Sequence, residues 1–446
     1  MEGRLVLKGS SIFRPDGRVR AGMAVVVEDD RVVTVAPDEQ VPVLPGDWEV
    51  SCRGRLVMPG LVDCHTHLVG EQLAPSSGAH LMRSAPGRFA ARQRLAAAMT
   101  LSELEALTAW GMARSLRNGV TLVAEHLESP SAVENSLDTQ ARVARRLGMR
   151  AVLSHATHSA MPNGNGSGLA QLDANASFAQ RFRTDPLVRG ALGFHSSATC
   201  SDDLLRRVGR LREELGVGVH FHVAEHEEDL LATFSRWGRR IVPRLESFGL
   251  IGPGLVASYA HTIDRAEAER LARSRTLVAL HPRAAVETMG ACGLECVLTH
   301  QPLLGLGTEG RGTLWQELGA AFASALQLAR VGRLLDPDGL MAQLLISGPA
   351  ELCSMIFGLP SGNVEEGAVA DLVVYDTVPP TESPDDVASH LLMQLSEVPV
   401  AWTVVAGRVV VREGQLVGAN HLELASEAAR ALDSLWRRVD VHSQAS

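Results

Sequence analysis

Two histidines, His65 and His67, stand two apart in the run GLVDCHTH, and His220 and His222 repeat that spacing in VGVHFHVAE, with Glu225 three residues beyond. On a β-strand, residues i and i+2 share a face, so each pair sends two imidazoles in one direction. Imidazoles placed so can share a divalent metal. Held by three neutral imidazoles and a carboxylate, a metal lowers the pKa of bound water to about 7 and so supplies hydroxide at neutral pH. A neighbouring carboxylate then takes the water's proton, and an acid returns one to the leaving nitrogen. Spacing alone does not choose between His220 and His222 as the ligand. A further carboxylate, Glu309, closes the run PLLGLGTEG, where a strand ends, and needs an explanation of its own.

Such side chains need strands to aim them. Eight short apolar runs lie at residues 60–67, 120–126, 150–156, 188–195, 217–225, 254–261, 276–282 and 302–310, each with a His or Glu at its C-terminal edge. Runs of this kind are typical of strands buried on both faces, and helix-period segments such as LSELEALTAWGMARSLRNG and SDDLLRRVGRLREELG separate them. Eight β/α units in about 300 residues predict a closed parallel (β/α)8 barrel, whose catalytic face is the C-terminal edge of its strands. A lone histidine at a strand end is usually a satisfied core or loop residue, but eight converging strand ends are harder to dismiss. Before residue 59 and after residue 358 the chain alternates apolar and polar residues in short runs. Both flanks therefore read as β structure, and together they suggest one small β-sandwich built from residues 1–58 and 359–446, with a tail helix over HLELASEAARALDSLWRRV, around a barrel at 59–358.

The charge balance narrows the partners. Net charge is −9 and the basic residues are scattered, which argues against a nucleic-acid footprint and for a small-molecule substrate. No apolar stretch approaches the roughly 18 to 20 residues needed to span a bilayer, and MEGRLVLKGS lacks the features of a signal peptide, so a cytoplasmic protein without membrane partners is expected. The six cysteines form no CxxC pair and read as thiols.

With the run VMPGLVDCHTHL, the first histidine pair resembles the opening signature of the amidohydrolase superfamily, metal-dependent hydrolases on a distorted (β/α)8 TIM barrel. HVAE, with His222 and Glu225, resembles the motif of its deaminase and chlorohydrolase branch, and the pattern is nearest to SsnA-type aminohydrolases. The resemblance implies His65, His67 and His222 as metal ligands and Glu225 as proton shuttle. It further implies His261 of YAHT as the group that hydrogen-bonds the attacking or the substrate oxygen, and His195 of GFHSSATCSDD as substrate-facing. HPRAAVETMG, with His281 and Arg283, echoes a substrate-contacting motif but lacks its usual asparagine and serine, and His126 is a further candidate for the pocket wall. Glu125, His155 and His158 could line the pocket or back it.

GLGTEG falls where relatives carry GTDG, whose Asp is both metal ligand and general base. Glu309 keeps the charge but stands one methylene farther out, about 1.5 Å, where productive geometry tolerates about 0.5 Å. The glycines at 305, 307 and 310 are expected to give its backbone room to adjust, leaving Glu309 as ligand or base. Dinuclear relatives often bridge two metals with a lysine on the fourth strand. The only lysine here is Lys8, so a single divalent metal is expected, zinc before iron or manganese. The resulting expectation is hydrolysis of a C–N bond in a nitrogen-rich cyclic substrate by a possible homodimer. Hydrolysis of amide or carbon–halogen bonds, or an inactive scaffold subunit, remain as alternatives at this point.

Overall fold

Alternation at the N-terminus becomes strands because every second side chain has a core to enter. The structure, a computed structural model, describes residues 3–69, 94–128, 133–159, 168–287, 291–330, 337–381 and 384–444. Strands β1 (Leu5–Phe13), β2 (Val19–Glu28), β3 (Arg31–Pro37), β4 (Trp48–Ser51) and β5 (Leu56–Pro59) lead in from the N-terminus. Leu5, Leu7, Val25 and Val27 enter one core with Leu372, Val374 and Trp402 from the far end of the chain, whereas Val6, Ala24 and Val26 face the other way with Val41.

The parallel strands follow: β6 (Leu61–Thr66), β7 (Val120–Leu127), β8 (Arg150–His155), β9 (Val188–Gly190), β10 (Leu192–Phe194), β11 (Val219–Val223), β12 (Leu255–Tyr259), β13 (Leu277–Leu280) and β14 (Leu303–Leu306). They form a four-stranded sheet β6-β7-β8-β9 and a five-stranded sheet β10-β11-β12-β13-β14. The expected fourth strand is thus two short ones. β9 pairs with β8 and β10 with β11, and the break falls at Ala191, whose N–H donates to Leu153 O while Leu192 N–H donates to Gly218 O. At the other seam, Glu309 N–H reaches His65 O at 3.3 Å and Thr308 N–H reaches Asp63 Oδ1 at 3.0 Å. These contacts bring strand eight beside strand one, and the architecture is the expected distorted (β/α)8 barrel.

Strands β15 (Leu372–Tyr375), β16 (Val400–Val405), β17 (Arg408–Arg412) and β18 (Gln415–Leu416) return to the first sheet, β15 pairing antiparallel with β5, so strands from both ends share nine-stranded order. Among the helices, residues 227–246 form two, Glu227–Trp237 and Ile241–Glu246, because Gly238 takes a left-handed C-cap. The tail helix covers His421–Gln444.

One expectation needs correction. The helical stretch Gly339–Phe357 is long and apolar enough, by length and composition, to cross a membrane, although more than half of it is buried within the protein. Leu352, Cys353 and Phe357 from this stretch fill the barrel floor against Val62, Cys64, Leu122, Val152, Val256 and Leu277. Gly348 sets the distance: a Cβ there would lie 1.6 Å from Leu304 O, so only glycine lets the helix back onto β14.

Candidate metal centre at the barrel mouth

Strand β6 changes its alternation where the chemistry begins. Val62 and Cys64 face the floor core, yet His65 and His67 also turn inward, because the register of β6 against β7 shifts between Asp63 and Thr66. Such an irregularity re-aims side chains without ending the strand. Strand β11 needs none: Val219, Phe221 and Val223 join the outer core, so His220 and His222 point inward by simple alternation.

The ligating atoms of His65, His67 and His222 lie within 4.8 Å of one another, and all three rings are buried. Their hydrogen bonds select the tautomers. His67 Nδ1 donates to His126 O at 2.7 Å, and His65 Nδ1 lies 2.7 Å from His220 Nε2. With both Nδ1 atoms engaged, the Nε2 atoms of His65 and His67 are left buried without a hydrogen-bond partner. Burial, reinforced by the neighbouring imidazoles, holds His65 well below the ordinary histidine pKa and sends His220 down to about 3. Burial likewise holds His222 low. Neutral imidazoles with orphaned, converging nitrogens suit a divalent metal. Here His220 supports His65, and His222 belongs to the converging three, which separates two residues that spacing could not.

Around this triad stand most of the other candidates. Glu225 Oε2 lies 3.2 Å from His222 Nδ1, and Glu225 Oε1 lies 3.0 Å from His226 Nε2. Burial pushes this carboxyl up, but hydrogen bonds from His222 and His226 outweigh it and hold the group well below the usual carboxylate range. His195 joins His222 and Glu225 in a second group of converging ligand atoms and stacks on His158 at 4.4 Å. His126 stacks on His220 at 4.7 Å and approaches His222 Nε2 through its Nδ1 at 3.1 Å, so it adjoins the triad itself. His281 donates from Nδ1 to Gly307 O at 2.8 Å, and its ring lies 5.0 Å from that of His65. His261 is buried beside Tyr259, its ring 5.3 Å away, and burial takes it to about 3.

Two candidates stand differently. Arg283 turns toward Gln316 and Glu317, 3.3 and 3.7 Å away, and its side chain is 42% exposed. Thr288 to Gly290 of the same motif lie outside the described residues. Glu309 is buried, but the converging histidine group does not include it. Its Oε1 accepts from the Tyr259 hydroxyl and its Oε2 lies 3.3 Å from Arg311 Nη2. Nor are the glycines before it slack: a Cβ at Gly307 would lie 2.6 Å from His65 O, and one at Gly305 2.6 Å from Cys64 Sγ. They permit close strand packing rather than backbone adjustment. Of the remaining residues, Glu125 accepts from Leu68 N–H and Gln140 Nε2, and His155 is held by Asn175 and Ser136, so both back the wall.

Tyr259, Arg311 and His226 escaped the sequence reading. Tyr259 sits out of alternation: Val256 faces the floor, which puts residue 259 on the outer face, but its φ of 83° turns the ring inward. Ala224, Ala260 and Glu309 also have positive φ, so strands five, six and eight all end in backbone that non-glycine residues rarely adopt, and they do so beside Glu225, His261 and Glu309.

A family model described as the amidohydrolase family matches residues 56–410, and the chain belongs to that family. The protein is accordingly a metal-dependent hydrolase of carbon–nitrogen bonds other than peptide bonds. It is 26% identical over 462 residues to the 5'-deoxyadenosine deaminase of Methanopyrus kandleri, with 97% of this chain and 99% of that protein covered. It is also 26% identical to the 5-methylthioadenosine/S-adenosylhomocysteine deaminase of Syntrophobacter fumaroxidans, covering 91% and 92%. Among solved structures, the zinc-bound adenosine deaminase of Xanthomonas campestris superposes with a TM-score of 0.82 at 23% identity, over 97% and 98% of the two chains. Zinc-bound atrazine chlorohydrolase of Arthrobacter aurescens follows the same fold, with a TM-score of 0.75 at 18% identity over 96% and 100%.

Proposed function

We propose that this protein deaminates the adenine ring of an adenosine-type nucleoside at a single zinc ion held by His65, His67 and His222. The observation that carries the metal assignment is the converging triad, with the Nε2 atoms of His65 and His67 orphaned in a buried site. The names of the full-length relatives support the substrate class. When bound, zinc supplies an activated water at neutral pH. Glu225, anionic beside His222 and His226, is placed to hold a proton from the attacking water and to deliver it to the departing amino group. His261 and His195 orient the substrate, and His126 and His281 close the polar wall. Water adds at the ring carbon and ammonia leaves, so the amino group is exchanged for oxygen. Glu309 contributes the remaining carboxylate as ligand or base.

The test is ammonia release from 5'-deoxyadenosine, 5-methylthioadenosine and adenosine, before and after chelation. Release that chelation abolishes and zinc restores is the expected result. No release from any purine nucleoside by zinc-loaded protein would sink the substrate class. Release from a triazine instead would move the assignment toward the chlorohydrolase side of the family.

A further inference from the structure

We propose that Tyr259 is a positioning residue of the metal centre, its phenol acting with Arg311 to fix the long Glu309 carboxylate beside the three imidazoles. The inference rests on the metal-centre reading above and is independent of the substrate.

A glutamate has one more rotatable bond than an aspartate, and its oxygens sweep a wider volume unless something holds them. Here each oxygen has a holder. The Tyr259 hydroxyl donates to Oε1, and Arg311 Nη2 stands 3.3 Å from Oε2. A carboxylate offers about four lone-pair positions, so a phenol and a guanidinium can act on its two oxygens together.

Tyr259 is itself fixed. Its ring lies 5.5 Å from His65, 4.8 Å from His222, 5.3 Å from His261 and 4.6 Å from His281, centroid to centroid, and the residue is buried. It therefore touches two of the proposed ligands while binding Glu309, which links the carboxylate to the triad through one rigid ring. Backbone geometry places it there: Tyr259 and Ala260 have φ of 83° and 59°, and Glu309 has φ of 54°. Two strand ends thus carry uncommon backbone, and the side chains they redirect meet each other. The only other tyrosine, Tyr375, is engaged elsewhere, accepting from Trp315 Nε1 at 3.0 Å.

The experiment is a zinc competition against a chromophoric chelator with four full-length proteins: unvaried, Tyr259→Phe, Glu309→Ala and the double variant. Phenylalanine keeps the ring and removes only the hydroxyl. Loss of an outer hydrogen-bond partner typically weakens metal binding about 10- to 100-fold. Tyr259→Phe should therefore lose at least about tenfold in zinc affinity in the unvaried background and less than about twofold when Glu309 is already alanine. An equal loss in both backgrounds, or no loss in either, overturns the proposal. Arg311→Gln, at a partly exposed side chain, provides the same comparison if Tyr259→Phe fails to fold, with a Glu309-dependent loss expected and a Glu309-independent one contradictory. Absence of zinc binding by the unvaried protein would remove the metal centre and this role together. Tight zinc binding without ammonia release would remove only the substrate assignment.

Discussion

At one end of the barrel, Val62, Leu122, Val152, Val256 and Leu277 meet Leu352, Cys353 and Phe357 in an apolar floor. At the other end of the barrel, His65, His67 and His222 converge, with Glu225 and His195 grouped about His222, in a buried polar mouth. The floor is made by plain alternation and closed by one helix. At the mouth, of the three converging imidazoles only His222 follows plain alternation; other side chains are aimed where alternation fails, at the register shift in β6 and at the positive φ of Ala224, Tyr259, Ala260 and Glu309. Stability and chemistry are therefore carried by opposite ends of the barrel, and substitutions can separate them.

The largest separation is expected at the triad. His222→Ala should lose its tightly held metal and about three orders of magnitude in kcat/KM, the equivalent of ~4 kcal/mol of transition-state stabilisation. Metal analysis and steady-state kinetics read both. At the floor, Leu352→Ala should do the reverse, costing about 2–5 kcal/mol of stability in denaturant unfolding because a fully buried side chain leaves a cavity. Its zinc content should stay unchanged.

Much of this contrast is legible in the sequence. The histidine pairs and the eight runs give the barrel and the ligand spacing, because period-two projection is a local property. The rest depends on distant packing. That His220 lies against His65, while His222 joins the converging three, follows from packing between strands 155 residues apart, including a 2.7 Å contact. Tyr259 is concealed because its inward turn depends on backbone torsion, not on residue type. Arg283 looked substrate-facing by motif, yet its guanidinium finds Gln316 and Glu317. Glu309 is visible as an oddity, but its holders on strand six and in its own loop are visible only in three dimensions.

Smaller effects sharpen the picture. Glu309→Asp shortens the carboxylate away from Tyr259 and Arg311, so zinc affinity should fall about tenfold in the same chelator competition, with activity lowered or unchanged. An increase in activity would mean that Glu309 impairs an otherwise family-like site.

The smallest effect lies outside both ends, where Glu103 pairs with Arg438 of the tail helix. Burial pushes the Glu103 carboxyl up, but Arg438 and the Thr100 cap outweigh it and hold the group below its ordinary value. A carboxyl depressed in the folded state stabilises above its unfolded pKa, about 4.3, and that contribution is lost as pH falls through the folded value. With Arg438 over one-third exposed, solvent screening keeps the pair below about 1 kcal/mol. Glu103→Gln should thus melt slightly lower at neutral pH, the difference vanishing in acid, while zinc content is unaffected.

The most direct test is to measure zinc occupancy and ammonia release from 5'-deoxyadenosine in the same samples as zinc is returned to chelated protein. Turnover should rise in proportion to zinc and saturate near one equivalent, with the His222→Ala protein flat throughout. Folded protein that takes up no zinc, or turnover that is indifferent to it, would contradict the assignment of chemistry to the mouth.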